Sequence, residues 1–290
     1  MRGLLASLLL AAALGGCGGS LPPRERHPGP LPVAAGGSYR VLEPPPGAGP
    51  GPFPVVYFLH DFWGGDGILW RHGVAQRLAA AVAAGELPPF LLVAPEGGRA
   101  FWADSHDGAR RYESWLLDEL PRRIAERYPV RPGPAGRAVV GISMGGHGAI
   151  RLALRRPHEV GAAAALSGLV PPLDWGLVED TNPLLRLMLK RAFGPSRQDN
   201  SLRRNDLYRL MPALYAIPAE RRPRLLVRAG AEDKYRFDDA SYLFAMVARD
   251  NGVAVELVLE PGGHDWEYWS RSTGEVVAWA LRALEERANS

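Results

Sequence analysis

The sequence predicts an α/β fold, a mainly parallel central sheet flanked by helices on both faces. Three observations carry that expectation. Apolar runs of strand length alternate along the chain with longer segments of helical period. Strand, helix and strand in that order imply crossover connections between parallel strands. The chain has 290 residues, 47% hydrophobic and 22% charged, a balance that suits one large core, and no interior linker divides it into two self-sufficient blocks.

Residues 1–16 stand apart from that core. Met1-Arg2 is followed by the apolar run Leu4 to Leu14 and then by Leu14-Gly15-Gly16-Cys17, a signal-peptide pattern rather than a membrane span. Cys17, the only cysteine of the chain, follows directly, and this junction resembles a bacterial lipoprotein lipobox. The resemblance implies cleavage before Cys17 and lipidation of its sulfur, hence export and attachment to a membrane of the cell envelope. An ordinary secretory signal with an incidental cysteine is the alternative. Residues 17–37, rich in Gly, Pro and charge, read as the lipidated cysteine and a flexible tether. The domain is expected over 38–290, and no second cysteine is available for a disulfide.

Within the domain, Val55–Leu59, Phe90–Ala94, Ala138–Ile142, Ala162–Leu166, Leu225–Val227 and Val253–Leu259 read as buried strands. Helices are expected over Ile68–Ala84, Tyr112–Tyr128, Met144–Arg155, Ala240–Arg249 and Thr273–Arg287. The stretch 171–223, with its apolar run Leu184 to Leu189, is expected to form a cap over the site that sets acyl or alcohol preference. In open sheets of this kind the active site collects beyond the carboxyl ends of the strands, so the residues that follow each run matter most.

Ser143 ends one run in Gly141-Ile142-Ser143-Met144-Gly145, with a helix opening behind it. A G-x-S-x-G between strand and helix is the nucleophile elbow of the α/β-hydrolase fold: the tight turn needs glycines beside the serine and lifts its hydroxyl above the sheet edge. A serine hydroxyl needs a base. Of seven histidines only His264, in Glu260-Pro261-Gly262-Gly263-His264, follows a late strand in the order serine, acid, histidine. The acid is expected after Leu225–Val227, where Asp233 fits and Glu232, Asp238 and Asp239 are rivals. Two backbone donors complete an oxyanion hole: Met144, after the nucleophile, and Phe62, in the loop His60 to Gly65. In that loop His60 reads as a structural hydrogen-bonding residue.

With these residues in place the chain resembles the esterase family that includes esterase D, S-formylglutathione hydrolases, feruloyl and acetyl-xylan esterases, and the antigen 85 mycolyltransferases. The likeness runs over roughly residues 39 to 285 and rests on Leu59-His60, Trp70, Tyr112 to Tyr128, the run Gly141 to Gly146, Gly230-Ala231-Glu232-Asp233 and His264-Asp265-Trp266-Glu267-Tyr268-Trp269. It implies the triad Ser143, Asp233 and His264 with oxyanion donors at Phe62 and Met144. One departure concerns the loop shape, because His60-Asp61 stands where many relatives have His-Gly.

The activity expected is hydrolysis of small or aromatic acyl esters through an acyl-enzyme. An acyltransferase using the same triad with an alcohol or sugar acceptor, and a non-catalytic envelope lipoprotein, are the alternatives. Trp63, Trp102 and Trp266 are expected to line the substrate site, with Trp269 divided between wall and core. No organic cofactor is called for, and His and carboxylate spacing does not argue for a zinc site. The net charge of +3, which becomes +2 once Arg2 leaves with residues 1–16, is too small to argue for nucleic acid. One basic stretch, residues 186–228, reads as a solvated face or as a contact with an anionic lipid surface or substrate.

Overall fold

A computed structural model describes residues 37–181, 183–196 and 201–289. The signal segment, Cys17 and all of the tether but Gly37 lie outside the described residues. Among the described residues seven strands form one sheet: β1 (Tyr39–Leu42), β2 (Val55–Leu59), β3 (Leu91–Pro95), β4 (Arg137–Ile142), β5 (Ala162–Leu166), β6 (Arg224–Gly230) and β7 (Val255–Glu260). Their spatial order is β1-β3-β2-β4-β5-β6-β7. Every neighbouring pair is parallel except β1 with β3. The six expected strands are present within one or two residues at most ends. The edge strand β1 was not expected: it is four residues long, alternates buried with half-buried positions, and carries Arg40, so no apolar run announces it.

Because successive side chains of a strand point to opposite faces, β2 feeds two cores. Tyr57 and Leu59 join one cluster, Val56 and Phe58 the other. Helices α1 (Val74–Ala83), α2 (Leu120–Arg127), α3 (Met144–Arg155), α4 (Pro183–Phe193), α5 (Phe237–Asp250) and α6 (Trp266–Ala288) cover them. Leu120 and Ile124 of α2, Ile150 of α3 and Phe244 of α5 pack on the first face; Leu78 of α1 and Val276 and Leu281 of α6 pack on the second.

Two expected helices are not uniform. Ile68–Ala84 divides into a single turn, Ile68–Arg71, and α1, with Gly73 between them at a φ of 68°. Tyr112–Tyr128 contains a π turn at Trp115–Glu119 just before α2. Pro121 accounts for it: proline has no N–H for the carbonyl four residues back and its ring pushes that carbonyl aside, so the helix widens by one residue. The last helix begins at Trp266, earlier than Thr273, because Asp265 caps it by accepting the Tyr268 N–H at 3.0 Å. The described residues of the stretch 171–223 form α4 and several shorter helices, and Leu189, Phe193, Leu207 and Leu214 among them are buried in the first core.

Candidate active site

Ser143 sits between β4 and α3 at φ 54° and ψ −112°, a backbone conformation that is costly for a residue with a side chain. Its surroundings show what enforces it. A Cβ on Gly145 would lie 2.0 Å from the Leu59 carbonyl oxygen, and one on Gly141 would lie 2.1 Å from the Gly145 carbonyl oxygen. The turn therefore presses against β2 so closely that only glycine fits beside the serine. The Ser143 N–H donates to the Leu166 carbonyl at 2.9 Å, tying the turn to β5.

The hydroxyl this turn presents meets His264, with Ser143 Oγ 3.0 Å from Nε2. The other ring nitrogen, Nδ1, lies 2.7 Å from Asp233 Oδ2. With a carboxylate oxygen as the acceptor at Nδ1, that nitrogen is the donor and Nε2 presents its lone pair to the serine hydroxyl. Asp233 is held in turn, since its Oδ1 accepts the Tyr235 N–H at 2.9 Å. Its three rivals have other partners. Glu232 accepts the Gly262 N–H and so fastens the loop that carries His264, while Asp238 and Asp239 pair with Arg236.

The imidazole is also boxed by ring edges. Trp269 and Tyr235 stand 4.8 Å away and Phe237 5.2 Å away, each close to perpendicular. Trp269 is itself fixed by donating Nε1–H to Ser167 Oγ at 3.1 Å. Behind the loop, Arg228 bonds Glu260 at 2.7 Å through both Nε and a terminal nitrogen and reaches Glu275 at 2.7 Å, which anchors the end of β7 from which His264 departs.

Met144 is the first residue of α3, so its N–H has no carbonyl four residues back to satisfy it. Phe62 borders the same cavity as Ser143 and Met144. Asp61 does not need the left-handed backbone that a glycine would permit; it is absent from the positive-φ residues among those described. Its side chain makes the turn instead, with Oδ2 accepting the Trp63 N–H at 3.2 Å. His60 braces the loop as a structural residue: Nε2 accepts from the Gly97 N–H at 3.0 Å, which leaves Nδ1 to donate to the Asp61 carbonyl at 2.7 Å.

Above the serine opens a cavity of about 460 Å³. Trp63, Trp266 and Trp269 border it; Trp102 does not. Trp102 is fully buried, packed against Gly148 and Gly97, with its indole N–H on the His60 carbonyl at 3.3 Å. Its neighbour Phe101 takes the place in the wall. The reason is local: Phe101 and Trp102 both have positive φ, at 53° and 59°, and this turn sends the smaller ring to the cavity and the larger into the core.

Leu184, Leu185 and Met188 of α4, from the apolar run expected over the site, border the cavity. Other lining residues were not foreseen. Tyr235 and Phe237 could have been found, as alternating aromatics just past the acid. His72 lies flat on Trp266, ring centroids 4.0 Å apart. A further histidine, His147, is fully buried one turn after the serine; burial first, and the Arg151 charge second, drive its pKa from 6.5 down to about 3. It is a neutral core residue whose Nδ1 meets the Leu169 carbonyl at 2.8 Å. Among the described residues no group of His, Cys, Asp and Glu could hold a metal ion.

The family model described as "Putative esterase" matches residues 38–278. An acetyl esterase of Caldicellulosiruptor saccharolyticus is 24% identical over 237 residues, 80% of this chain and 84% of the relative. The diacylglycerol acyltransferase/mycolyltransferase Ag85B of Mycobacterium intracellulare is 28% identical over 207 residues, 61% of each protein. Among solved structures, the fluorophosphonate-binding serine hydrolase FphF of Staphylococcus aureus superposes with a TM-score of 0.71 at 19% identity, covering 89% of this chain and 96% of that one. Likeness at that level shows the shared α/β-hydrolase fold.

Proposed function

The chain belongs to this esterase family, and from that premise we propose that it is a serine carboxylic-ester hydrolase working through Ser143, His264 and Asp233. The observation that carries the reading is the continuous hydrogen-bonded line from Ser143 Oγ through the imidazole to Asp233, with distances of 3.0 and 2.7 Å, at the floor of an apolar cavity. His264 Nε2 takes the hydroxyl proton as Oγ attacks the ester carbonyl. The charge on the tetrahedral oxygen falls to the N–H groups of Met144 and Phe62, and Asp233 stabilises the imidazolium without itself taking the proton. His264 then protonates the leaving alcohol, and a water deprotonated by the same nitrogen releases the acid.

The acyl group is small or aromatic: Phe101, Leu169, Met188, Phe237 and Trp269 offer rings and short aliphatic chains around a cavity of about 460 Å³. Transfer to an alcohol or sugar acceptor is the second reading, favoured by the acyltransferase among the relatives. Cys17 is lipidated and holds the exported protein to a membrane of the cell envelope; the lipobox-like junction supports this. The test is a panel of p-nitrophenyl esters of rising chain length, with feruloyl and acetylated sugar esters, on wild type and Ser143→Ala. Loss of turnover in Ser143→Ala with fluorophosphonate labelling of the wild type at Ser143 is expected. Equal activity in both proteins refutes the mechanism, and product partition with added acceptor separates hydrolysis from transfer.

A further inference from the structure

We propose that the rim of the catalytic cavity is a docking face for an anionic lipid surface, so that the cavity mouth is turned toward the membrane. The inference rests on the anchoring of Cys17 proposed above and adds the orientation of the enzyme on that anchor.

Large apolar side chains are exposed at the mouth itself. Trp63 is 63% exposed, Leu184 49% and Tyr235 42%, and all three border the cavity. Leu187, 53% exposed, lies one turn beyond Leu184 on α4. At 100° per residue, Leu184, Leu187 and Arg191 share one side of that helix, with Lys190 beside Leu187, while Leu189, Ala192 and Phe193 on the other side are buried. The outer face of α4 is thus leucines flanked by cations with no acid among them, the pattern of a helix that lies in a lipid interface. Glu179 and Asp180 belong to the preceding helix.

Two other parts of the rim pair apolar surface with positive charge, and Asp265 is the exposed acid that also borders the cavity. The Arg99 guanidinium lies over the rings of Phe62 and Trp63 at 5.3 and 4.8 Å. On the other side the Lys234 ammonium lies 5.2 Å from the centre of the Tyr235 ring. Apolar groups that enter a bilayer beside cations that meet anionic headgroups are complementary to such a surface.

The topology places the anchor on the same side. Since β1 runs antiparallel to β3, its first residue, Tyr39, stands opposite Pro95, the last residue of β3, and the Glu96 N–H donates to the Ser38 carbonyl at 2.9 Å. The chain coming from Cys17 therefore joins the fold at the carboxyl edge of the sheet, where β4 presents Ser143. Strand order puts that entry three strand spacings from β4, about 14 Å. Cys17 stands only twenty positions before Gly37 in the sequence, which ties this edge to the anchor.

The experiment uses the full lipidated chain, in which Leu187→Cys supplies the one free thiol, labelled with an environment-sensitive dye. Glu126→Cys, exposed on α2, is the control. On vesicles of phosphatidylglycerol and phosphatidylcholine the dye at 187 should shift to the blue and be quenched by brominated acyl chains, while the dye at 126 does neither. Lys190→Gln and Arg191→Gln should each weaken docking about fivefold, and vesicles of phosphatidylcholine alone should show little of it. A water-like signal at 187 on anionic vesicles with which the unlabelled protein floats overturns the docking face and leaves the anchor standing. Failure of the unlabelled protein to float overturns the anchor, and this orientation with it. A blue shift without vesicles that grows with protein concentration assigns the face to a second copy of the chain and refutes the proposal.

Discussion

Acid should weaken this protein through His147, and the size of the effect follows from its burial. The folded-state pKa is about 3 against 6.5 for a free imidazole, because burial disfavours the charged ring and Arg151 repels it. Between those values the unfolded chain binds a proton that the folded chain refuses. Stability is therefore full above the unfolded pKa and falls as the pH drops below it, by about 1.4 kcal/mol per unit until the folded value is reached. From pH 7 to pH 5 the loss assignable to this residue is about 2 kcal/mol. His147→Asn keeps an amide N–H at the place of Nδ1 for the Leu169 carbonyl and cannot take up a proton. Unfolding in urea at both pH values, for wild type and variant, isolates the linkage from every carboxylate the two proteins share. Wild type should lose about 2 kcal/mol more than the variant over that interval. Equal losses in both would refute the reasoning, by showing that the ring is protonated in the fold or that the site opens to water below the unfolding transition.

Other expectations follow from the same geometry. Asp233→Asn should lower kcat by roughly 10³–10⁴ with the fold intact, because the wrong imidazole tautomer then faces Ser143; Glu232→Gln should retain far more activity, and comparable losses in the two would remove Asp233 from its assigned role. Gly145→Ala should abolish soluble or active protein, its Cβ falling 2.0 Å from the Leu59 oxygen, whereas Gly274→Ala, in open space on α6, should raise stability by about 0.5–1 kcal/mol in thermal unfolding. Trp102→Ala should cost about 3–5 kcal/mol of stability. Trp63→Ala should leave the unfolding transition nearly in place and show its effect in KM.

Much of the architecture was legible because the central strands are buried on both faces and so appear as unbroken apolar runs, as in Val55–Leu59 and Ala162–Leu166. The elbow was legible for a different reason: its serine and glycines form one five-residue pattern between strand and helix, and chain order then singled out His264 and favoured Asp233 over its neighbours. The edge strand β1 was hidden by its half-buried alternation, and the breaks at Gly73 and before Pro121 left the helical period on either side undisturbed.

What the sequence determined by itself was thus whatever local sterics, burial and chain order impose: the parallel core, the strained serine, and the candidates for acid and base. Tertiary structure alone decided the rest. Carboxylates one residue apart, Glu232 and Asp233, were separated by which faced an imidazole 31 positions downstream, and adjacent rings, Phe101 and Trp102, by which way one turn pointed them. The apolar run Leu184 to Leu189 was expected over the site, but which of its residues border the cavity and which, like Leu187, stay exposed beside it was set by packing. Contacts between residues far apart in sequence leave no local periodicity to read, since they depend on distances that only the packed sheet and helices establish.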